Sequence, residues 1–358
     1  MASNLFQTER KLQFKGHQLA EFKDQIAKDS TSREILKLDP KEKLPKQFLL
    51  SKSGLMDSKY ALTRTGVLQL CNVLSPGLYQ VVKGLITDDH PLVDHTRADL
   101  RAVLIINNML SHKAPALARH KAIVCSERKQ LDGFVTGSYQ LVSNDTVFRH
   151  FENACEMVGS MRMHTAYLNG QTLTVIMVPK KPQVGKVVGA KNVKFQVGVM
   201  LQNSETAGKA IQTMPVVMDN FTKRWSCGKA NKECTVQHRK GKVFQNKMMM
   251  MGDALSKCYK EEAKPFTSNS PVNVKLTPRN ETWTAQKLVA NGSPATISQL
   301  KGLDFDVAND HKFPRWMLYQ QLLKAADSLA IEASLVLRQT AFNLITTQYV
   351  SNESIKSF

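Results

Sequence analysis

Met163-His-Thr-Ala-Tyr-Leu-Asn-Gly-Gln-Thr-Leu-Thr-Val-Ile-Met-Val178 holds two apolar-rich runs on either side of Asn169-Gly170. Asn-Gly accepts positive φ at both central positions, which is what the type I′ turn of a tight hairpin requires. The stretch is predicted to be a hairpin with strands at 163–168 and 173–178. The same pattern recurs on both sides of it. Upstream, Ala122-Ile-Val-Cys-Ser and Phe134-Val-Thr-Gly-Ser-Tyr flank a polar turn at 130–133. Downstream, runs at 193–201 and 210–218 flank a turn through Asn203-Ser204-Glu205. Asn144 or Asp145 caps a helix that ends near residue 158. Hairpins interleaved with helices define an α+β fold, an antiparallel sheet of hairpins with packed helices.

Further out, residues 1–59 are polar, with a short amphipathic helix at 19–26 and interruptions at Pro40 and Pro45. They read as an N-terminal arm or linker. Two helices are expected within 60–86, the second opened by Pro76, and another at 96–112, where Leu100, Val103, Leu104, Ile106 and Leu110 share a broad face. The α+β core domain is placed at 60–262, with a last helix at 244–262. Pro265, Pro271, Pro278 and Pro294 mark 263–312 as a connection rich in Pro, Ser and Asn. Residues 313–358 are expected to form a long C-terminal helix, since no Gly or Pro interrupts the chain after Pro314 until Tyr349. Its apolar positions exceed a coiled-coil stripe, so packing on its own domain is the default and homo-oligomerisation the alternative.

The chain has 358 residues, of which 42% are hydrophobic, enough for a substantial core. No window reaches the roughly 18–20 apolar residues of a membrane span, and the N-terminus shows no apolar signal core. Six cysteines over this length do not read as a disulfide framework, so a cytoplasmic setting is expected. Forty-nine Lys and Arg against thirty Asp and Glu give a net charge of +19. The excess is concentrated: residues 180–247 hold fourteen basic and three acidic positions, a net +11. A polyanion is the natural partner of such a segment, and nucleic acid is the abundant intracellular one.

Lys180, Lys181, Lys186, Lys191 and Lys194 crowd strand ends and a glycine-containing connection, and Lys223, Arg224, Lys229, Lys232, Arg239, Lys240 and Lys242 follow. Cations so placed contact phosphates without reading bases. Trp225 beside Lys223 and Arg224 is a candidate for stacking on an unpaired base; its alternative is a core position. Within the same segment, Cys227, Cys234 and His238 offer thiolate and imidazole ligands suited to zinc, with Cys258 as a candidate fourth. The spacing of six residues between the cysteines is wider than usual. Asp88, Asp89, His90, Asp94, His95 and Asp99 form a dense acid and histidine cluster of the kind that holds Mg²⁺ or Mn²⁺ in a nuclease. Motifs for a nucleophile, a P-loop or a dinucleotide turn are missing.

Gly133-Phe-Val-Thr-Gly-Ser-Tyr-Gln-Leu-Val-Ser-Asn-Asp145, Phe195-Gln-Val-Gly-Val-Met-Leu-Gln-Asn-Ser-Glu-Thr-Ala-Gly208, Cys227 and His238-Arg-Lys-Gly241 together resemble an uncharacterised phage and plasmid protein family, the domain of unknown function nine-three-two. The matching positions are Tyr139, Asn203, Ser204, Glu205, Cys227 and His238, within a resemblance that covers residues 60–245. The turn here is one residue longer than the family's Asn-Ser-Glu-x-Gly, and Gly228-Lys229 stands where the family has Asn-Gly after the cysteine. The resemblance implies a phage or mobile-element origin and a host-cytoplasm location, without a settled activity.

These features lead to the expectation of a non-enzymatic nucleic-acid-binding protein of phage replication or recombination, a single-stranded DNA binding or strand-annealing factor. The alternatives are a metal-dependent nuclease using the 88–99 cluster and a structural or regulatory protein that docks on an acidic partner.

Overall fold

The computed structural model describes residues 6, 10–37, 50–51, 54–55, 60–86, 95–113, 117, 119–180, 185–186, 194–206, 208–219, 222–230, 235–238, 253, 282–283 and 313–346. In chain order its strands are β1 (Lys11–Lys15), β2 (Arg33–Lys37), β3 (Leu50–Ser51), β4 (Gly54–Leu55), β5 (Ala61–Leu62), β6 (His120–Cys125), β7 (Gln130–Thr136), β8 (Met161–Asn169) and β9 (Thr172–Pro179). There follow β10 (Gly185–Lys186), β11 (Lys194–Ser204), β12 (Ile211–Asp219), β13 (Trp225–Cys227), β14 (Thr235–Val236), β15 (Thr282–Trp283) and β16 (Phe313–Pro314). The helices are α1 (Leu19–Thr31), α2 (Arg64–Leu74), α3 (Pro76–Ile86), α4 (His95–Lys113), α5 (Asn144–Val158), α6 (Arg315–Asp327) and α7 (Ile331–Thr346).

The larger sheet runs β1-β8-β9-β11-β12-β13, with β10 on β11 and β14 on β12, all antiparallel. Side chains alternate across a strand, and here both faces are buried. Val175, Met177, Val199 and Leu201 join Phe22, Phe148 and Phe151 of α1 and α5 on one side. Ile176, Val178 and Met200 join Trp225, Cys227 and Leu335 of α7 on the other. That is why β9 and β11 read as continuous apolar runs in place of a polar alternation. The smaller sheet, β2-β6-β7-β5, is antiparallel except for the parallel β5–β7 pair. Helices α2, α3 and α4 pack on it around Leu70, Leu74, Ile106 and Phe134. The chain is thus α+β, with helices at its C-terminal part. No helix among the described residues is long and apolar enough to cross a membrane.

Local chemistry explains several boundaries. The Thr63 hydroxyl accepts from Gly66 N at 3.1 Å at the start of α2, and the Ser143 hydroxyl accepts from Thr146 N at 3.1 Å at the start of α5. Ser143 is therefore the cap, and Asn144 is released to bond elsewhere. The 163–178 hairpin is present, but its turn is displaced. Asn169 pairs with Thr172, so Gly170 and Gln171 are the central residues, and only Gly170 has positive φ, at 58°. That is the φ pattern of a II′ turn, with glycine at the first central position. One more ladder pair frees the Asn169 amide to donate to Glu332 at 2.7 Å. The third hairpin is likewise longer: Asn203 and Ser204 remain in β11, paired with Leu173 and Thr172.

Two expectations are corrected. Residues 11–37 are no arm: β1 completes the large sheet, α1 seals its face, and β2 is an edge of the small sheet. Lys11, Gln13 and Lys15 are exposed while Phe14 is buried, so an edge strand bearing lysines looks like solvated chain in sequence. The C-terminal helix is two helices, broken at Ser328–Ala330, where the Ser328 hydroxyl donates to the Ala325 carbonyl oxygen at 2.8 Å. The helix expected at 244–262 and nearly all of the 263–312 connection lie outside the described residues, apart from Asp253 and β15.

Candidate nucleic-acid interface

The ladder register decides which basic residues meet. Met161 pairs with Pro179, Met177 with Val199, and Phe195 with Asp219. The start of β8, the end of β9, the start of β11 and the end of β12 therefore share one end of the large sheet. Lys186 pairs with Lys194 there, and Lys15, opposite Thr165, ends β1 towards the same end. Exposed Lys180 follows β9 and exposed Lys223 follows β12. Positions far apart in sequence thus gather at one edge.

A cleft of about 860 Å³ opens beside them, lined among others by Lys15, His17, Arg162, His164, Lys223 and Arg338. Strands β8 and β13 are four pairings apart, about 19 Å along a flat sheet, yet Arg162 and Trp225 line the same cleft, so the sheet curls around it. Three local features shape the walls. First, β8 carries a bulge: Met163 pairs with Met177 and Thr165 with Ile176, which leaves His164 without a cross-strand partner. A bulge re-aims a side chain, and His164 is directed into the cleft. Second, Gly16 lies against that bulge so closely that a Cβ there would overlap the Met163 carbonyl oxygen. Third, Lys223 holds a left-handed backbone, φ 58°, in a turn fastened by Asp219. Lys223 N donates to Asp219 O at 2.8 Å, and the Thr222 hydroxyl donates to Asp219 Oδ2 at 3.0 Å.

The electrostatics are one-sided. The only carboxylate among the described lining residues, Asp327, accepts from Arg224 Nε at 2.9 Å and from Arg338 at 2.8 Å. Lys15, His17, Arg162, His164 and Lys223 have no ion pair among the described residues. Burial, then Arg162 and Lys223, lower the proton affinity of His164 below the ordinary histidine range.

Trp225 is placed differently from the stacking expectation. Its ring is buried, and the Arg338 guanidinium lies 3.9 Å from the ring centroid, covering it, while donating to the Trp225 carbonyl oxygen at 2.8 Å. No base can reach that face. Among the other expected contacts, Lys180, Lys223 and Lys229 are exposed and Arg224 is ion-paired. Lys186 and Lys194 are fixed by register only, and Lys181, Lys191, Lys232, Arg239, Lys240 and Lys242 lie outside the described residues.

The zinc set is not assembled. Cys227 stands opposite Val216 and Val236 opposite Ile211, so about 16 Å of β12 separates those pairs, and His238 lies two residues beyond. Zinc ligands sit about 2.0–2.3 Å from the metal, which these two positions cannot share. Burial pushes the Cys227 thiol up to about 12, which keeps it protonated. Cys234 and Cys258 lie outside the described residues, and among the described ones no group of three or more His, Cys, Asp or Glu is placed to hold a metal. Of the 88–99 cluster, Asp88, Asp89, His90 and Asp94 are outside the described residues, His95 opens α4, and Asp99 is buried on that helix.

At the opposite end of the sheet, five of the six positions of the family resemblance converge. Glu205 is fully buried: one carboxylate oxygen accepts from Asn144 N, and the other pairs with Arg33, whose Nε lies 3.7 Å from Asp132. The Tyr139 hydroxyl donates to the Glu205 carbonyl oxygen at 2.8 Å, and its ring stacks on His238 with centroids 5.2 Å apart. Asn203 donates to Asn144 Oδ1 at 2.9 Å, so its own Oδ1, 2.8 Å from His238 Nε2, accepts from that nitrogen. Ser204 is buried beside them, and Cys227 alone stands apart. Burial lowers His238 to about 4, which keeps it neutral. The network joins Arg33 and Asp132 of the small sheet to the β11–β12 turn, and it is closed to solvent. Its work is to hold the two sheets together.

Comparison of the chain with protein-family models, curated proteins and solved structures found no match.

Proposed function

We propose that this protein binds single-stranded nucleic acid, DNA in the first place, through its phosphate backbone, as a strand-binding or strand-annealing factor of the phage replication and recombination type. The observation that carries this reading is the cleft in which Lys15, Arg162 and Lys223 have no counter-charge among the described residues, while the one carboxylate among the described lining residues is taken by two guanidiniums. Cations left unpaired by the protein are available to phosphates, whose condensed counterions are released on binding. The cleft is of the size that takes a small-molecule ligand, so it accommodates a few nucleotides of one strand and not the width of a duplex. Exposed Lys180 lies at the same end of the sheet, where it extends the track along the backbone, and positions 186 and 194 pair at that end. The buried Trp225 is not a stacking platform, so the proposed contacts are those of cations with phosphates, which do not depend on sequence. The setting proposed with it, a mobile-element protein acting in the host cytoplasm, is the one the sequence resemblance implies; no family model matches the chain.

The test is fluorescence anisotropy with labelled single- and double-stranded 40-mers across a salt series. Single strands are expected to bind more tightly, with an affinity that falls steeply with salt. Arg162→Glu and Lys223→Glu should each weaken binding and reduce the salt slope by about 0.7, one phosphate contact's worth on a single strand. Lys28→Gln, on α1, paired with Glu127 and not in the cleft lining, should change neither. Unaltered affinity in both cleft variants, or equal affinity for duplex, would overturn the reading.

A further inference from the structure

We infer that His164 is a phosphate ligand of the cleft and takes up a proton as a single strand binds, so that strand binding tightens as pH falls. The inference rests on the single-strand reading above and adds a means of regulating it.

The geometry gives His164 a place of its own. The bulge removes it from the ladder and turns it into the cleft. On one side the turn held by Gly16 brings Lys15 and His17 alongside it. On the other side the β12–β13 turn brings Lys223, held in a left-handed conformation that is unfavourable for an L-residue. A strained residue retained at a cleft wall is the pattern of a site whose side chain must be presented there.

The charges that face His164 come from every element around the cleft. The β1 end supplies Lys15 and His17, β8 supplies Arg162 and the phenol of Tyr167, the turn supplies Lys223, and the α6–α7 junction supplies Asp327 and Arg338. Asp327 is committed to Arg224 and Arg338. No carboxylate is therefore free among the described lining residues to stabilise an imidazolium, and the His164 side chain has no hydrogen-bond partner among the described residues. Half-buried beside two cations, it sheds its proton more readily than an ordinary histidine. A phosphodiester between Arg162, Lys223 and His164 reverses this balance, because an opposite charge nearby favours the protonated ring. The phosphodiester carries a fixed charge near neutral pH, so the proton comes from solvent to the imidazole. No covalent bond other than that N–H forms or breaks.

The experiment uses the full chain and a homothymidine 20-mer, whose bases do not titrate in the range of interest. Affinity is measured from pH 8 to 5.5 at constant ionic strength, and proton uptake by calorimetry in two buffers of different ionisation enthalpy. Wild type should bind more tightly as pH falls, approaching tenfold per pH unit where the response is steepest, with uptake approaching one proton. His164→Gln should bind with a flat profile and no uptake at the steepest point. His164→Lys, a fixed cation, should also be flat but retain tight binding at pH 8, and His150→Gln, exposed on α5 and not in the cleft lining, should keep the wild-type profile. Circular dichroism at each pH reports that the variants are folded. Binding with an unchanged pH profile in His164→Gln, or a profile abolished by His150→Gln instead, would overturn the inference and leave the single-strand reading standing. No binding by any variant at low salt would overturn that reading itself, and the inference with it.

Discussion

Replacing Glu205 by alanine should destabilise this protein more than most single changes, because it removes two partners at once. The carboxylate pairs with the buried guanidinium of Arg33 and accepts the backbone N–H of Asn144 at the first turn of α5. Breaking one side of a buried ion pair costs about 3–5 kcal/mol, since the remaining charge stays buried. The orphaned N–H adds about 1 kcal/mol. Asp132, 3.7 Å from Arg33 Nε, retains part of the electrostatic balance, so the expected loss is about 4 kcal/mol. Glu205→Gln keeps an acceptor for Asn144 N and should lose about 2 kcal/mol. The double variant Arg33→Met with Glu205→Leu should cost less than the sum of its two single changes, because each single change leaves the other's buried charge without its partner. Urea unfolding followed by circular dichroism measures all three, with the midpoint shifting and the slope unchanged. A loss below 1 kcal/mol in Glu205→Ala, or a double variant that costs the sum of its two single changes, would refute the reasoning that this pair joins the two sheets.

Two further outcomes follow from the same geometry. His238 is held neutral down to about pH 4 against an ordinary value of 6.5, so above pH 6.5 its titration has no effect on stability. As pH falls from 6.5 towards 4 the unfolded chain gains a proton that the folded one refuses, and stability should decline by up to about 3 kcal/mol. Thermal midpoints between pH 7.5 and 4 should show this decline in wild type and a shallower one in His238→Gln; parallel curves would count against it. Gly16→Ala forces the β1 turn off the Met163 carbonyl, which should cost about 1–3 kcal/mol and weaken oligonucleotide binding severalfold, as Lys15 and His17 move with it. An unchanged thermal midpoint and affinity would show that the turn does not depend on that close approach.

The fold class was legible from residues 122–218 because hairpins are local objects. Turn residues and apolar alternation lie within a few positions of each other, and the structure has strands and helix α5 in the order that pattern gives, with the turns shifted by one to four residues; the largest shift is in the first hairpin, where Gln130–Gly133 belong to β7 and the turn falls at 126–129. The charge excess was equally legible, since composition needs no coordinates. What sequence could not supply was meeting across distance. Strand β1 reads as solvated polar chain, and only its pairing with β8 shows that Phe14 is core and Lys15 a cleft wall. His164 carried no signal, because a bulge exists only when two strands are in register. Cys227 and His238 stood eleven positions apart and looked like partners, yet β12 holds them at opposite ends. Trp225 looked like a stacking surface until Arg338, more than a hundred residues later, covered it. Sequence determines which segments form strands and how much charge the chain carries, because both are properties of neighbours and of sums. Register and packing decide which of those charges lack a counter-ion, because that depends on residues brought together only when the chain has folded.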